Sequence, residues 1–375
     1  MSEATLGSFP QDFREGMAAR AQLLGDTGDS APERWEPGFL HPGVHVLVMI
    51  SAQTEPALQE HDARLRAAAE ASGLTVVADQ VGAALPGGIE HFGFADGFAQ
   101  PAIEGAGVEP RPGQGAPDGK DGWRPIRAGE FILGYADEQG ALPDTPDPDQ
   151  FGVNGSYLVY RKLRQDVAAF RRLVAEGARR YPGGEELLAA KIVGRWRDGT
   201  PLASSPDRPD PALAADPARN NAFSFADDAD GRRCPIGSHI RRANPRRSLP
   251  FDGALVNRHR LIRRGIPYGT PLPVGAADDG ADRGVVFMCL QASIARQFEF
   301  VQSQWFAGGN AFRLGDDQDV VMGLQDHEGA RKMTVPGSPP FFLGPLSRLV
   351  TVRGGEYFFC PGINGLRHLA ALEGY

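Results

Sequence analysis

SYLVYRKLRQDVAAFRRLVAEGAR, Ser156 to Arg179, decides the fold class. Its opening, Ser156 to Lys162, predicts a strand, and Asp166 to Arg179 predicts a helix. Reading toward the C-terminus, Glu185 to Trp196 predicts a second short helix, and Thr200 to Asn221 a loop rich in Pro and Asp. GVVFMCL, Gly284 to Leu290, predicts another strand, followed by a helix over Ile294 to Trp305. Leu349 to Val352 and Tyr357 to Cys360 predict a hairpin turning at Gly354-Gly355, and Asn364 to Leu372 a last helix. Strands and helices in this order predict an α+β fold, an antiparallel sheet packed against helices.

Toward the N-terminus the pattern is thinner. Val44 to Ser51 predicts a strand, Glu55 to Ser72 a helix stopped by Gly73, and Thr75 to Leu85 a second strand. From Gly87 to about Gln150 the chain is Gly-, Pro- and Asp-rich, with one strand-like island at Glu130 to Tyr135. A loop of that length inside a domain is usually functional. The first half reads as a shortened relative of the second, giving two units, 1–150 and 151–375.

Composition narrows the class. Lys and Arg number 39 and Asp and Glu 47, a net charge of −8, which argues against nucleic acid as a partner. Three Cys in 375 residues exclude a disulfide framework and point to a reducing compartment. The longest apolar run, Val44 to Ala52, is too short to span a bilayer and contains His45. No basic, apolar leader is visible at the start. A cytoplasmic protein with no membrane partner is therefore expected.

Three segments could carry chemistry. Of the eight His, His41, His45, His61, His327 and His368 sit in ordinary settings, but His239 lies in CPIGSHIRRANPR, Cys234 to Arg246. The surrounding Arg residues favour its neutral, ligating form. HFGFADGFAQP, His91 to Pro101, places Asp96 between two Gly and among Phe92, Phe94 and Phe98. There it reads either as a turn former or as a general acid–base group in a dry pocket. NRHRLIRRGIPYG, Asn257 to Gly269, holds four Arg within seven residues. In an extended chain Arg263 shares a face with His259 and Leu261, making it the Arg to point inward.

In this order, these segments resemble the dye-decolourising peroxidases, a haem peroxidase family. GFADG is similar to the family's Gly-x-x-Asp-Gly motif, HIRRANPR to its proximal motif and LIRRGIPYG to its distal Arg segment. LLGD (Leu23 to Asp26), ERW (Glu33 to Trp35), RGVVFMCLQASIARQFEFVQSQW (Arg283 to Trp305) and GGEYFFCPG (Gly354 to Gly362) extend the resemblance over nearly the whole chain.

The resemblance implies two ferredoxin-like halves, of the dimeric α+β barrel superfamily, with haem b held mainly by the second. It implies His239 as the iron ligand, Asp319 in QDVVMG as the carboxylate behind it, and Arg241 at a haem propionate. Asp316 and Asp317 crowd the same stretch, and Val320 replaces the family's usual Pro. On the other face it implies Asp96 as acid–base group and Arg263 as charge stabiliser. Hydrogen peroxide is then the electron acceptor, and dyes, phenols or other bulky one-electron donors the reductants, with Trp305 and Tyr157 as relay candidates. The alternatives are a non-catalytic haem-binding protein and an iron-releasing haem enzyme. The family's usual opening strand, helix and strand have no counterpart here, so the first half is expected to be incomplete. Its exposed sheet edge is expected to favour a homo-oligomer.

Overall fold

The computed structural model describes residues 2–39, 44–118, 122–308, 310–323 and 331–372. His41 and His327 lie outside these residues. Among the described residues the main sheet is antiparallel. Its strands run Ile262–Arg263, Gly284–Gln291, Ser156–Gln165 and Val350–Cys360, and Ile266–Tyr268 pairs further along Gly284–Gln291. The protein is α+β, as the strand at Ser156 predicts.

That strand is central and almost wholly buried, because both of its faces are covered. Tyr157, Val159 and Leu163 enter the large core, where they meet Phe170 and Val174 of the helix Val167–Ala178 and Leu188 of the helix Gly184–Val193. Leu158 and Tyr160 enter a smaller cluster on the other face, with Tyr268, Val286 and Met288. The period-2 alternation of side chains divides the two cores. The large core also takes in Phe9, Met17, Leu24, Trp35, Phe92 and Phe94, so the N-terminal residues complete the same core as the C-terminal ones.

Four expectations are corrected. Val350–Cys360 is one continuous strand rather than a hairpin. Side chains at Gly354 and Gly355 would run into Phe39 and Met17, so these glycines admit close packing instead of a turn. Glu130 to Tyr135 forms no strand. A short turn at Ala128–Glu130 ends it, Gly134 has φ 89°, and Glu130 is held by Arg296 and Arg258. Ile294 to Trp305 is helical but wide, with i→i+5 bonds such as Glu299 N–H to Ile294 O at 3.0 Å and Ala307 N–H to Gln302 O at 3.1 Å.

The fourth correction concerns Val44 to Ser51 and Thr75 to Leu85. Both segments lack strand structure. Val44 and Leu47 pack on the smaller core, but Val46, Val48, Val76 and Val81 face water. Their one ladder-like bond among the described residues is Ala83 N–H to Pro267 O, at 2.9 Å. The alternation is present in the sequence, but no neighbouring strand completes it. The helix between them, Glu55–Ala71, buries no residue.

Candidate active site

The loop that carries Asp96 is rooted in the core. Phe92 stacks on Phe170 at 4.6 Å between centroids, and Phe94 meets the same ring edge-on at 6.1 Å. These two rings are anchors and do not wall in Asp96. Glu90 is half-buried and accepts from the amides of Phe92 at 2.8 Å and Phe94 at 3.0 Å, while Gln165 Nε2 donates to it at 2.7 Å. Gly93 has φ 93°, a left-handed conformation that favours glycine in this turn. Gly97, at φ 94°, donates its amide to Asp96 Oδ1 at 2.6 Å.

Arg263 arrives from the sheet. It sits on the edge strand Ile262–Arg263, opposite Cys289. Its Nη1 donates to Asp96 Oδ1 at 3.1 Å and Oδ2 at 3.3 Å, and its Nη2 donates to Phe98 O at 3.1 Å. Leu261 packs against the core and Arg264 faces solvent, but Arg260, which alternation places on the face opposite Arg263, is buried too, so simple alternation does not hold along the segment. Burial pushes the Asp96 carboxyl up, but the Arg263 guanidinium and the Gly97 amide outweigh it and hold the group below the ordinary 3.8.

His239 opens the short helix His239–Ala243 and stacks on Phe306 at 5.0 Å. Its Nδ1 lies 3.1 Å from Asp319 Oδ2 and 3.2 Å from Oδ1. Asp319 is fully buried and also accepts from the amides of Val321 at 2.9 Å and Met322 at 2.6 Å. Burial opposes its charge, yet His239 and those amides hold its pKa low. For His239 burial acts downward and Asp319 acts upward more strongly. Asp317 is committed elsewhere, to Lys332 Nζ and the Thr334 amide, both at 2.7 Å, so Asp319 alone of the three neighbouring Asp faces the His.

His239 and Asp96 feel each other's charge, and Arg263 acts on both, yet no hydrogen bond joins the two pairs among the described residues. The Asp96 side chain is 58% exposed and that of His239 29%. The Nδ1 contact to Asp319 leaves Nε2 as the His239 nitrogen available to a ligand.

Arg241 is placed differently from the expectation. It is 1% exposed and lies over the Phe225 ring, with Nη1 donating to Cys234 O at 2.7 Å and Nη2 to Asp228 O at 2.8 Å. These bonds direct its guanidinium into the Asp228 loop. Three other arginines, which the sequence reading missed, cluster beside Asp96. Arg195 Nη1 donates to Gly199 O at 2.7 Å and Asn220 O at 2.8 Å. Arg246 Nη1 donates to Asn221 O at 2.9 Å and Phe223 O at 2.7 Å, and Arg260 Nη2 to Ala99 O at 3.1 Å.

None of the three has an ion-pair partner among the described residues. Burial pushes Arg195 and Arg260 down to about 10, and Arg246 well below the usual range. Arg195 and Arg260 are buried and Arg246 is half-buried, held by carbonyls and, for Arg195 and Arg246, by the Phe223 ring, so an anion is their natural complement. The arginine count in the sequence could not reveal this, since it depends on which arginines lack a carboxylate. An adjoining cavity of about 110 Å³ is lined by Gly97, Phe98, Ala99, Arg111 and Asn221 among others.

The donor set fits haem b. It offers an imidazole nitrogen backed by a carboxylate, a carboxylate–arginine pair whose charge reaches that imidazole, and arginines without a carboxylate partner among the described residues for two propionates. Trp305 and Tyr157 are 3% and 0% exposed, so neither reaches the surface as a relay would.

Comparison with known proteins points the same way. Residues 136–316 match the family model described as Dyp-type peroxidase, C-terminal. Dye-decolorizing peroxidase msp1 of Mycetinis scorodonius is 32% identical over 383 residues, covering 95% of this chain and 71% of the relative. Multifunctional dye peroxidase DyP2 of Amycolatopsis sp. is 32% identical, covering 98% and 80%. Among solved structures, one described as a crystal structure of DyP superposes with a TM-score of 0.82 at 30% identity, covering 100% of this chain and 85% of that one. A dye-decolorizing peroxidase in complex with 2,6-dimethoxyphenol superposes with a TM-score of 0.79 at 29% identity, covering 95% and 80%.

Proposed function

The chain belongs to the dye-decolorizing peroxidases, haem b enzymes that use hydrogen peroxide, and on that premise we propose that His239, Asp96 and Arg263 form its active site. The observation that carries this reading is the pair of partnerships, His239–Asp319 and Asp96–Arg263, close enough for their charges to act on each other. Haem b, when bound, supplies the electrons that reduce peroxide and then recovers them singly from an organic donor.

The protein's residues do the rest. His239 Nε2 holds the iron, and the Nδ1 contact to Asp319 fixes the ring's tautomer and raises its basicity. Arg260, Arg246 and Arg195 would be available to the propionates, whereas Arg241 is bonded to Cys234 O and Asp228. Asp96 Oδ2 takes a proton from incoming peroxide and delivers it to the departing oxygen. Arg263 stabilises the negative charge that develops on oxygen between those two transfers.

The cavity of about 110 Å³ that adjoins Gly97 is well below the ~300 Å³ or more of a site for a drug-sized molecule. Bulky donors such as dyes or phenols would therefore give up electrons at the protein surface. The three free cysteines support a cytoplasmic home, and the exposed valines of 44–51 and 75–85 support self-association. The division at residue 150 into two ferredoxin-like halves, the first incomplete, is retained as part of this reading.

Two outcomes follow for the acid–base group and its counterpart. Asp96 is depressed, so it is ionised and able to accept a proton down to its lowered pKa. Falling pH removes that ability only below the ordinary 3.8. Stopped-flow rates of reaction with peroxide should therefore hold on the acid side and fall below that value, and a loss centred near neutrality would contradict the assignment. Asp319→Asn keeps the size but removes the charge behind His239. Haem affinity or peroxide reactivity should drop about 10–100-fold, and the reduction potential should move positive, as read by haem titration and spectroelectrochemistry.

A further inference from the structure

Arg263 occupies an edge strand of only two residues, bonded to the sheet on one side. Arg264 N–H donates to Met288 O at 2.8 Å, so the backbone groups of Arg263 itself point outward from the sheet. An edge leaves such groups to water or to another partner. Here the partner is a side chain. Gln100 Nε2 donates to Arg263 O at 2.8 Å, and Arg263 N–H donates to Gln100 Oε1 at 3.1 Å. One primary amide thus satisfies both backbone groups of one residue, as a neighbouring strand would.

Gln100 lies four residues after Asp96 on the same loop. Between them, Phe98 O accepts from Arg263 Nη2 at 3.1 Å. The loop therefore grips Arg263 at its backbone and at its side chain, and Asp96 meets the same guanidinium. We propose that Gln100 is a positioning residue for peroxide reduction, whose amide clamps the Arg263 backbone and so sets the separation between the Arg263 guanidinium and Asp96. It touches neither substrate nor cofactor and acts through Arg263. The proposal rests on the assignment of Asp96 and Arg263 above.

The chemistry explains why the residue is glutamine. A donor and an acceptor must come side by side from one planar group, and a carboxamide presents an N–H and an oxygen in that way at neutral pH. Glutamate keeps the acceptor for Arg263 N–H but places an oxygen against Arg263 O. Methionine has similar length and offers neither. Reactivity with peroxide should therefore fall in the order Gln, Glu, Met. A misplacement near 1 Å costs up to ~100-fold, so a partial release of the clamp should cost roughly tenfold in Gln100→Met and less in Gln100→Glu.

The test uses haem-loaded wild type, Gln100→Glu, Gln100→Met and Arg263→Leu. Stopped-flow mixing gives the second-order rate constant with peroxide. Steady-state assays at saturating peroxide give the rate of donor oxidation. Thermal unfolding without haem and a crystal structure of Gln100→Met give stability and the position of Arg263. The expected result is a graded loss confined to the peroxide step, unchanged unfolding temperature, and an Arg263 guanidinium displaced from its 3.1 Å contact with Asp96. Wild-type peroxide rates in Gln100→Met alongside a slow Arg263→Leu would overturn the proposal. Parallel loss of stability, haem binding and peroxide rate in both Gln100 variants would overturn it too, because Gln100 would then be a packing residue. If Arg263→Leu itself reacts normally, the assignment beneath the proposal fails instead.

Discussion

Replacing His239 with alanine should abolish the Soret band of protein purified or reconstituted with haem. The substitution removes the imidazole that Asp319 backs through Nδ1. No other His in the described residues can replace it. His91 Nε2 is buried against Tyr268 O at 2.8 Å, and the His259 ring is bound to Arg296 O at 2.6 Å and stacked on Phe300. The fold should persist, since Asp319 keeps the amides of Val321 and Met322, so its charge is not stranded. Circular dichroism and thermal unfolding of the haem-free variant check that point. Added imidazole should restore part of the band by filling the vacated space beside Phe306. A full Soret band in His239→Ala without imidazole would exclude this residue as the ligand.

The second large effect is expected on the opposite wall. Asp96→Asn should bind haem normally and react with peroxide about 10²–10⁴-fold more slowly, the range lost when a positioned acid–base group is removed. Arg263→Leu should slow the same step by about 10²–10³-fold, the range for a lost charge-stabilising donor. The two losses should not add in the double variant, because Arg263 also orients the carboxylate and keeps it ionised. Asp96→Asn should lose the acid limb of the pH profile, since the group that titrates is gone. Single-turnover stopped-flow measurements separate this step from donor oxidation.

Much of this was legible in the sequence, and what was not has a physical cause. The strand at Ser156 and the helices that follow it are carried by local pattern, and the sheet bears them out. The strands expected at Val44 and Thr75 have the same pattern, but a strand is a property of two segments, and theirs lack partners. Gly354-Gly355 looked like a turn because sequence does not show that Met17 and Phe39 press on those positions. Asp96, Arg263, His239 and Asp319 came from motifs, and the structure pairs Asp96 with Arg263 and His239 with Asp319. Arg241 was misplaced because neighbouring arginines in one motif differ only in direction, and Asp228 decides which way it turns. Gln100 and the Arg195, Arg246 and Arg260 cluster depend on contacts between segments up to 163 residues apart, beyond any local reading.

The central claim is that a haem-binding His239 and the Asp96–Arg263 pair form one site for peroxide. Its most direct test is the absorption spectrum of the haem-loaded protein before and after one equivalent of hydrogen peroxide, with Asp96→Asn measured beside it. The account predicts a Soret band that changes at once in the wild type, returns when a phenol or dye is added, and changes far more slowly in Asp96→Asn. A Soret band that one equivalent of peroxide leaves unaltered in the wild type would contradict it, and would make the chain a haem binder without peroxidase chemistry.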